Sequence, residues 1–252
     1  MQKNTYGLVG FPLGHSFSKG YFTDFFRKEG ICAEYKNFEL ARIDDLAKVL
    51  EGETALRGFN VTIPYKQQVM PYLHELDAAA EAIGAVNVVK VTQREGLIYL
   101  KGYNTDVIGF ADSIRPLLKS HHKRALILGT GGASKAVDYA LRKMGVETCF
   151  VSRSPKDEGL TYCELTPEVF VRYTVIVNTT PLGTFPKIDE CPPIDYSLLD
   201  DRFLLFDLVY NPEKTLFLKR GEQAGATVCN GMEMLVGQAK AAWHIWNTNN
   251  IG

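Results

Sequence analysis

Apolar and polar positions alternate along this chain with two periods. Tyr6–Gly10 is a short apolar run that reads as a strand. Phe17–Glu29 has the period of a helix, with Phe22, Phe25 and Phe26 on one face. Ala33–Leu40 alternates as a strand does, and Ile43–Glu51 is helical. Gly58–Ile63 reads as a strand stopped by Pro64, and His74–Ile83 as a helix. Ala85–Thr92 and Leu97–Gly102 read as two further strands. After Lys119-Ser-His-His-Lys123 the pattern changes character. Arg124–Leu128 is continuously apolar, as a parallel strand covered on both faces requires. A glycine turn over 129–134 leads into a helix over Ser134–Met144, which Gly145 can end as a C-cap. Glu147–Val151, Val175–Asn178 and Phe203–Asp207 are further strands, and the Pro- and Gly-rich segment Pro181–Pro193 is a long loop. The last helix, from about Gly231 to Trp246, has no strand after it and is expected to pack back on the first domain. The whole pattern predicts an α/β fold.

Length and charge narrow the class. At 252 residues the chain is long enough for two domains. Hydrophobic residues make up 46% and charged residues 23%, as in ordinary globular enzymes. The formal net charge of −1 creates no field that would attract nucleic acid or an anionic membrane. The one dense basic stretch, Lys119–Arg124, is short and suits a solvated linker. Five cysteines, Cys32, Cys149, Cys163, Cys191 and Cys229, are scattered and form no CxxC, which fits a reducing compartment. None combines with histidines at zinc spacing, so no metal is expected. The N-terminal MQKNTYGLVG lacks the apolar run of a signal peptide, and no stretch approaches the roughly 20 apolar residues of a bilayer span. A cytoplasmic enzyme, with neither nucleic acid nor membrane as partner, is the expectation.

Arg124-Ala-Leu-Ile-Leu-Gly-Thr-Gly-Gly-Ala133 is a strand feeding a glycine turn that opens a helix. Gly129 permits the tight turn, Gly131 lets a pyrophosphate approach the backbone, and Ala136 allows close helix–strand contact. The spacing is G-x-G-G-x-x-x-A, so a ligand-free turn or another nucleotide-like ligand such as S-adenosylmethionine shares the signal. The end of the next strand separates the dinucleotides. NAD calls for an acidic residue there, whereas this chain has Ser152-Arg153-Ser154. A guanidinium fork with two hydroxyls suits a 2′-phosphate and hence NADP. Lys156 adds charge in the same sense, and Asp157 and Glu158 oppose it.

Four stretches between Gly10 and Asp106 carry chemistry. In Gly10-Phe-Pro-Leu-Gly-His-Ser-Phe-Ser18, Ser16 and Ser18 can cap a helix or hold a carboxylate. Lys66 follows the strand stop in Gly58-Phe-Asn-Val-Thr-Ile-Pro-Tyr-Lys66, where a solvated lysine is the plain alternative. In Gly84-Ala-Val-Asn87 a buried amide needs partners, and a ligand hydroxyl can be one. Asp106, ending Gly102-Tyr-Asn-Thr-Asp106 just before a helix, has a helix N-cap as its plain alternative.

Taken in order with the glycine turn, Asp207-Leu-Val-Tyr-Asn-Pro212 and Asn230-Gly-Met-Glu-Met-Leu-Val-Gly-Gln-Ala239, these stretches resemble the shikimate dehydrogenase family from Gly10 to Gln238. The resemblance implies an N-terminal α/β substrate-binding domain (residues 1–105 with 232–252), a Rossmann-type NADP-binding domain (106–231), and a C-terminal helix returning to the first. It implies reversible NADPH-dependent reduction of 3-dehydroshikimate to shikimate, on the route to chorismate and the aromatic amino acids, by a monomer or homodimer. Lys66 and Asp106 become the catalytic pair. Ser16 and Ser18 hold the substrate carboxylate, helped by Tyr210, and Thr62, Asn87 and Gln238 contact ring hydroxyls or the pair. The cofactor set becomes Gly129, Gly131, Gly132, Ala133, Ser152, Arg153, Ser154, Thr179 and Gly231. Departures from the family pattern are Lys19 in place of Pro, Tyr21-Phe22 in place of His-Asn, Val107 in place of Gly, and Asn178-Thr-Thr-Pro181 in place of Asn-Ala-Thr-Ser. An NAD-dependent quinate/shikimate dehydrogenase is the alternative within the family. Loss of Lys66 or Asp106 would mark a non-catalytic regulator, and both are present.

Overall fold

The computed structural model describes residues 3–14, 16–154 and 159–248. The chain divides into two compact units, Met1–Thr105 with Ala239–Gly252, and Asp106–Gln238.

The first unit runs β1 (Asn4–Gly10), α1 (Phe17–Lys28), β2 (Ala33–Glu39), α2 (Leu46–Gly52), β3 (Leu56–Val61), β4 (Glu75–Leu76), α3 (Ala78–Ile83), β5 (Val88–Arg94) and β6 (Leu97–Tyr103). The strands form one mixed sheet in the order β2-β1-β3-β5-β6-β4, with β5 antiparallel to both its neighbours. Side chains alternate across it. Val9, Phe59 and Val89 turn to one core with Leu46 and Ala80. Tyr6, Leu8 and Val88 turn to the other with Phe22, Phe26, Ala239, Ala242 and Trp246. The last helix thus returns to this sheet. The Trp246 indole donates to the Val89 carbonyl at 3.0 Å. A Cβ on Gly58 would lie 2.2 Å from the Trp246 ring, so only glycine admits this contact.

The second unit runs α4 (Asp106–Ile114), β7 (Arg124–Leu128), α5 (Gly132–Lys143), β8 (Glu147–Ser152), β9 (Leu160–Thr161), α6 (Pro167–Arg172), β10 (Val175–Asn178), β11 (Leu204–Asp207), α7 (Leu216–Gln223), β12 (Thr227–Cys229) and the start of α8 (Met232–Asn247). All its paired strands are parallel, in the order β12-β11-β10-β7-β8-β9. Counted within the unit this is 6-5-4-1-2-3, the doubly wound Rossmann arrangement. Leu126 and Leu128 face one core, and Ala125 and Ile127 face the other, which explains the unbroken apolar run of β7. The first turns of α8 lie on α4, where a Cβ on Gly109 would come within 2.4 Å of the Met234 carbonyl oxygen. The division between units falls within α8, between Gln238 and Ala239.

Some element boundaries differ from the periodicity. The helix expected over His74–Ile83 starts only at Ala78, because Asp77 caps it through the Ala79 and Ala80 amides. Before it, the His74 amide donates to Leu100 (2.9 Å), and β4 then pairs with β6. The strand expected from Ala85 starts at Val88, because Ala85 and Val86 bond away from the sheet, to Ala80, Asn104 and Lys66. The short elements β9, α6, α7 and β12 are additional to those the periodicity predicts.

Candidate active site

In the second unit the strand order reverses between β7 and β10, and such a switch point opens a crevice at the strands' carboxyl ends. The turn after β7 lies there. Gly129 has φ 108°, a backbone region that favours glycine, and its amide donates to the Val151 carbonyl at 2.8 Å. Thr179, just past β10, donates to the Leu128 carbonyl with both its amide (2.9 Å) and its hydroxyl (2.7 Å). A Cβ on Gly129 would lie 2.8 Å from the Thr179 hydroxyl. Gly131 and Gly132 are exposed, and nothing lies within 4 Å of where their Cβ atoms would be. Gly131 caps α5 with no side-chain acceptor, so the first-turn amides of Gly132 and Ala133 remain suited to an anion.

Ser152 ends β8, and its buried hydroxyl has no hydrogen-bond partner among the described residues. Arg153 and Ser154 follow, both exposed. An orphaned hydroxyl beside a guanidinium is a fitting surround for a phosphate. Lys156, Asp157 and Glu158 lie outside the described residues. These residues therefore fit a dinucleotide with a 2′-phosphate.

The ends of β10 and β11 are tied by Asp207. Its carboxylate is fully buried and accepts from Asn178 Nδ2 (2.9 Å), the Val209 amide (3.0 Å) and the Thr215 hydroxyl (2.5 Å). Burial outweighs these donors and pushes its pKa up to about 6. Tyr210 is partly exposed beyond it, and Gly231 abuts Leu208 so closely that a Cβ would lie 2.2 Å from its carbonyl oxygen. Gln238 is buried and donates to the Leu235 carbonyl of its own helix at 3.0 Å.

In the first unit the candidate residues come from distant stretches. Thr62, just past β3, donates its amide to the Val9 carbonyl (2.9 Å). The Val86 amide donates to the Lys66 carbonyl at 2.7 Å, which seats Lys66 beside the residue that precedes Asn87. Asn87 Oδ1 accepts from the amide (2.7 Å) and hydroxyl (3.2 Å) of Thr105, the residue before Asp106. Asp106 itself is buried and opens α4, where an acidic group meets the positive end of the helix. Behind Asn87, Asn60 Nδ2 reaches its carbonyl (3.4 Å), and Tyr35 donates to Asn60 Oδ1 (2.7 Å). Ser18 is within hydrogen-bonding reach of the Tyr35 hydroxyl, whose pKa burial raises well above normal. A buried polar chain thus runs Tyr35–Asn60–Asn87–Thr105. Ser16, by contrast, caps α1, accepting the Lys19 amide at 3.1 Å.

Tyr35, Asn60, Thr105 and Asp207 are buried polar groups that tie these segments together, and no local pattern marks their partners. The available signal is a charged residue on an otherwise apolar strand, Asp207 in the Phe203–Asp207 run. Among the described residues no helix is long and apolar enough to cross a membrane, and no three His, Cys, Asp or Glu side chains are grouped to hold a metal ion.

A family model for the shikimate dehydrogenase substrate binding domain matches residues 8–89. The shikimate dehydrogenase (NADP(+)) of Clostridium beijerinckii is 39% identical over 254 residues, covering 96% of this chain and 91% of its own. The chain belongs to the shikimate dehydrogenase family. Among solved structures of similar fold, the shikimate 5-dehydrogenase of Thermus thermophilus, in complex with NADP(H) and shikimate, is 29% identical with a TM-score of 0.83. The match covers 97% of this chain and 93% of that one. A quinate dehydrogenase from Corynebacterium glutamicum in complex with NAD is 26% identical, with a TM-score of 0.85 over 97% and 94% of the two chains. Solved structures of this fold thus include complexes with either nicotinamide cofactor.

Proposed function

We propose that this chain is an NADP-dependent shikimate dehydrogenase that reversibly reduces 3-dehydroshikimate to shikimate. The observation that carries the reading is 39% identity across 96% of the chain to an enzyme of that name, with Lys66 and Asp106 both in place. The preference for NADP over NAD rests on Ser152-Arg153-Ser154, which offers no acidic partner for a ribose 2′-hydroxyl. Residues 1–105 with 232–252 are read as the substrate-binding domain and 106–231 as the cofactor domain. The enzyme works in the cytoplasm as a monomer or homodimer, on small molecules and not on nucleic acid.

When bound, the reduced cofactor supplies a hydride to the substrate carbonyl carbon. Gly129, Gly131, Gly132 and Ala133 hold its pyrophosphate, Ser152, Arg153 and Ser154 its 2′-phosphate, and Thr179 and Gly231 its nicotinamide end. Ser16, Ser18 and Tyr210 hold the substrate carboxylate. Thr62, Asn87 and Gln238 contact its hydroxyls. The reacting oxygen gains negative charge, which the Lys66 ammonium stabilises and then neutralises by giving up a proton. Asp106 orients Lys66, and solvent restores the Lys66 ammonium that the neighbouring carboxylate stabilises.

Absorbance at the reduced-nicotinamide band tests the reading, with shikimate or quinate mixed with NADP or NAD. Fast turnover with shikimate and NADP alone is expected. Comparable turnover with quinate or NAD would move the protein to the broader quinate/shikimate class. No turnover of any mixture by folded protein would remove the reading.

A further inference from the structure

We propose that Asp207 is a positioning residue that sets two ligand-facing loops of the second unit from one buried carboxylate. The first follows β10 and carries Thr179; the second follows β11 and carries Tyr210. The proposal rests on the functional reading above only in calling these loops ligand-facing.

Asp207 has no exposed surface, so its oxygens serve protein groups. The three donors come from three separate segments: the end of β10 (Asn178), the loop after β11 (Val209) and the cap of α7 (Thr215). Each segment passes the restraint on. Asn178 Oδ1 accepts from the Thr180 amide (3.0 Å) and hydroxyl (2.6 Å), and the Thr180 hydroxyl accepts the Leu182 amide at 3.3 Å. The Val209 carbonyl accepts the Gly231 amide at 3.2 Å. Thr215 backs the first loop as well, since a Cβ on Gly183 would lie 3.3 Å from the Thr215 Cβ. The two loops also join directly, through the Phe185 amide and the Asn211 carbonyl at 3.1 Å.

A carboxylate is an expensive group to bury, and an apolar residue would end β11 at lower cost. The convergence of donors explains its presence, because a carboxylate has acceptor sites for several donors at once. Asparagine keeps one oxygen, sufficient for Asn178 and Val209, and alanine keeps none. Asn178 governs only the first loop. The arrangement therefore predicts separable effects, which a general loss of stability would not produce.

The test is amide hydrogen exchange on the full chain without ligand, alongside KM for each ligand. Asp207→Ala is expected to speed exchange at least ~10-fold in both 179–184 and 208–212 while β7 and β8 stay as in the wild type. Asn178→Ala is expected to loosen 179–184 alone, and Asp207→Asn to retain most of the protection. In kinetics, Asp207→Ala raises KM for NADP and for shikimate together, each by ~5-fold or more, with a smaller change in kcat. Unchanged exchange, or exchange rising evenly through the unit, overturns the proposal, as does a KM shift for one ligand only. If Asp207→Ala does not fold, the other two variants decide: Asn178→Ala loosening both loops, or neither, overturns it. A wild type with no turnover of shikimate and NADP defeats the functional reading instead, and the exchange results still judge Asp207.

Discussion

In the second unit the candidate cofactor residues sit within a few positions of parallel strand ends, most of them on two short stretches, 129–133 and 152–154. In the first unit the candidate substrate residues come from stretches up to 71 residues apart, Ser16 to Asn87, and are tied by side chains that cross the sheet. The difference is physical. Backbone amides and a helix terminus recognise a phosphate, and a local turn supplies them wherever the strand–turn–helix sequence occurs. Placing a lysine beside an amide and hydroxyls needs side chains from several strands, and those must be satisfied inside the core. A site of the first kind should lose function one ligand at a time. A site of the second kind should lose it as a network.

The largest effect tests the chemistry itself. Lys66→Ala should lower kcat by ~10²-fold or more with little change in KM, the scale of one acid–base or oxyanion contribution. A drop under tenfold would remove Lys66 from the reaction and leave the first unit a binding module. Next, Arg153→Ala should raise KM for NADP by roughly 10- to 100-fold, the worth of charge-assisted hydrogen bonds to a phosphate. KM for shikimate should stay put. If both constants move together, the second unit is not the local site described above.

A smaller effect comes from Asp207. Its pKa of about 6 in the fold lies above that of an ordinary aspartate, about 3.9, so the folded state binds this proton more readily than the unfolded one. The contribution is full below the unfolded value and is lost as pH rises through the folded value. Urea unfolding of wild type and Asp207→Asn should therefore show the wild type gaining, relative to the variant, on the order of 2 kcal/mol between pH 7 and pH 4. A flat difference would mean that the three donors hold the carboxylate ionised. Smallest is Tyr35→Phe, which deletes one buried hydrogen bond and should cost ~1 kcal/mol by denaturant midpoint. Its value lies in the comparison. Combined with Asn87→Ala it should be non-additive, as members of one network are, whereas Tyr35→Phe with Arg153→Ala should add.

Much of this is legible in the residues. The apolar run of β7 with its glycine turn predicts a parallel strand at a dinucleotide site, because that geometry leaves few sequence choices. The order of the short motifs carries the family. Less visible is the second use of single residues. Ser16 can be a cap or a carboxylate ligand on sequence grounds, and in the structure its oxygen accepts the cap bond, which leaves its hydroxyl proton to donate. Asp207 stands inside a family motif, yet nothing local marks its carboxylate as the meeting point of three segments, since its partners lie up to 29 residues away. Tyr35 and Asn60 read as ordinary members of alternating strands.

What the sequence by itself determined is the set of local shapes and local chemistry. Two alternating α/β halves, a turn that only glycine makes at Gly129, an Arg in place of an acid at the end of β8, and Lys66 and Asp106 at family motifs all follow from neighbours along the chain. Only the tertiary structure decided which distant polar groups satisfy one another. It joined Tyr35 to Asn60, Asn60 to Asn87 and Asn87 to Thr105, and it drew Asn178, Val209 and Thr215 onto Asp207. It also chose where α8 changes from packing on α4 to packing on the first sheet. The reason is that a buried polar group must find a partner, but the chain's local pattern records only that the group is polar, and the partner is chosen by strand order and register.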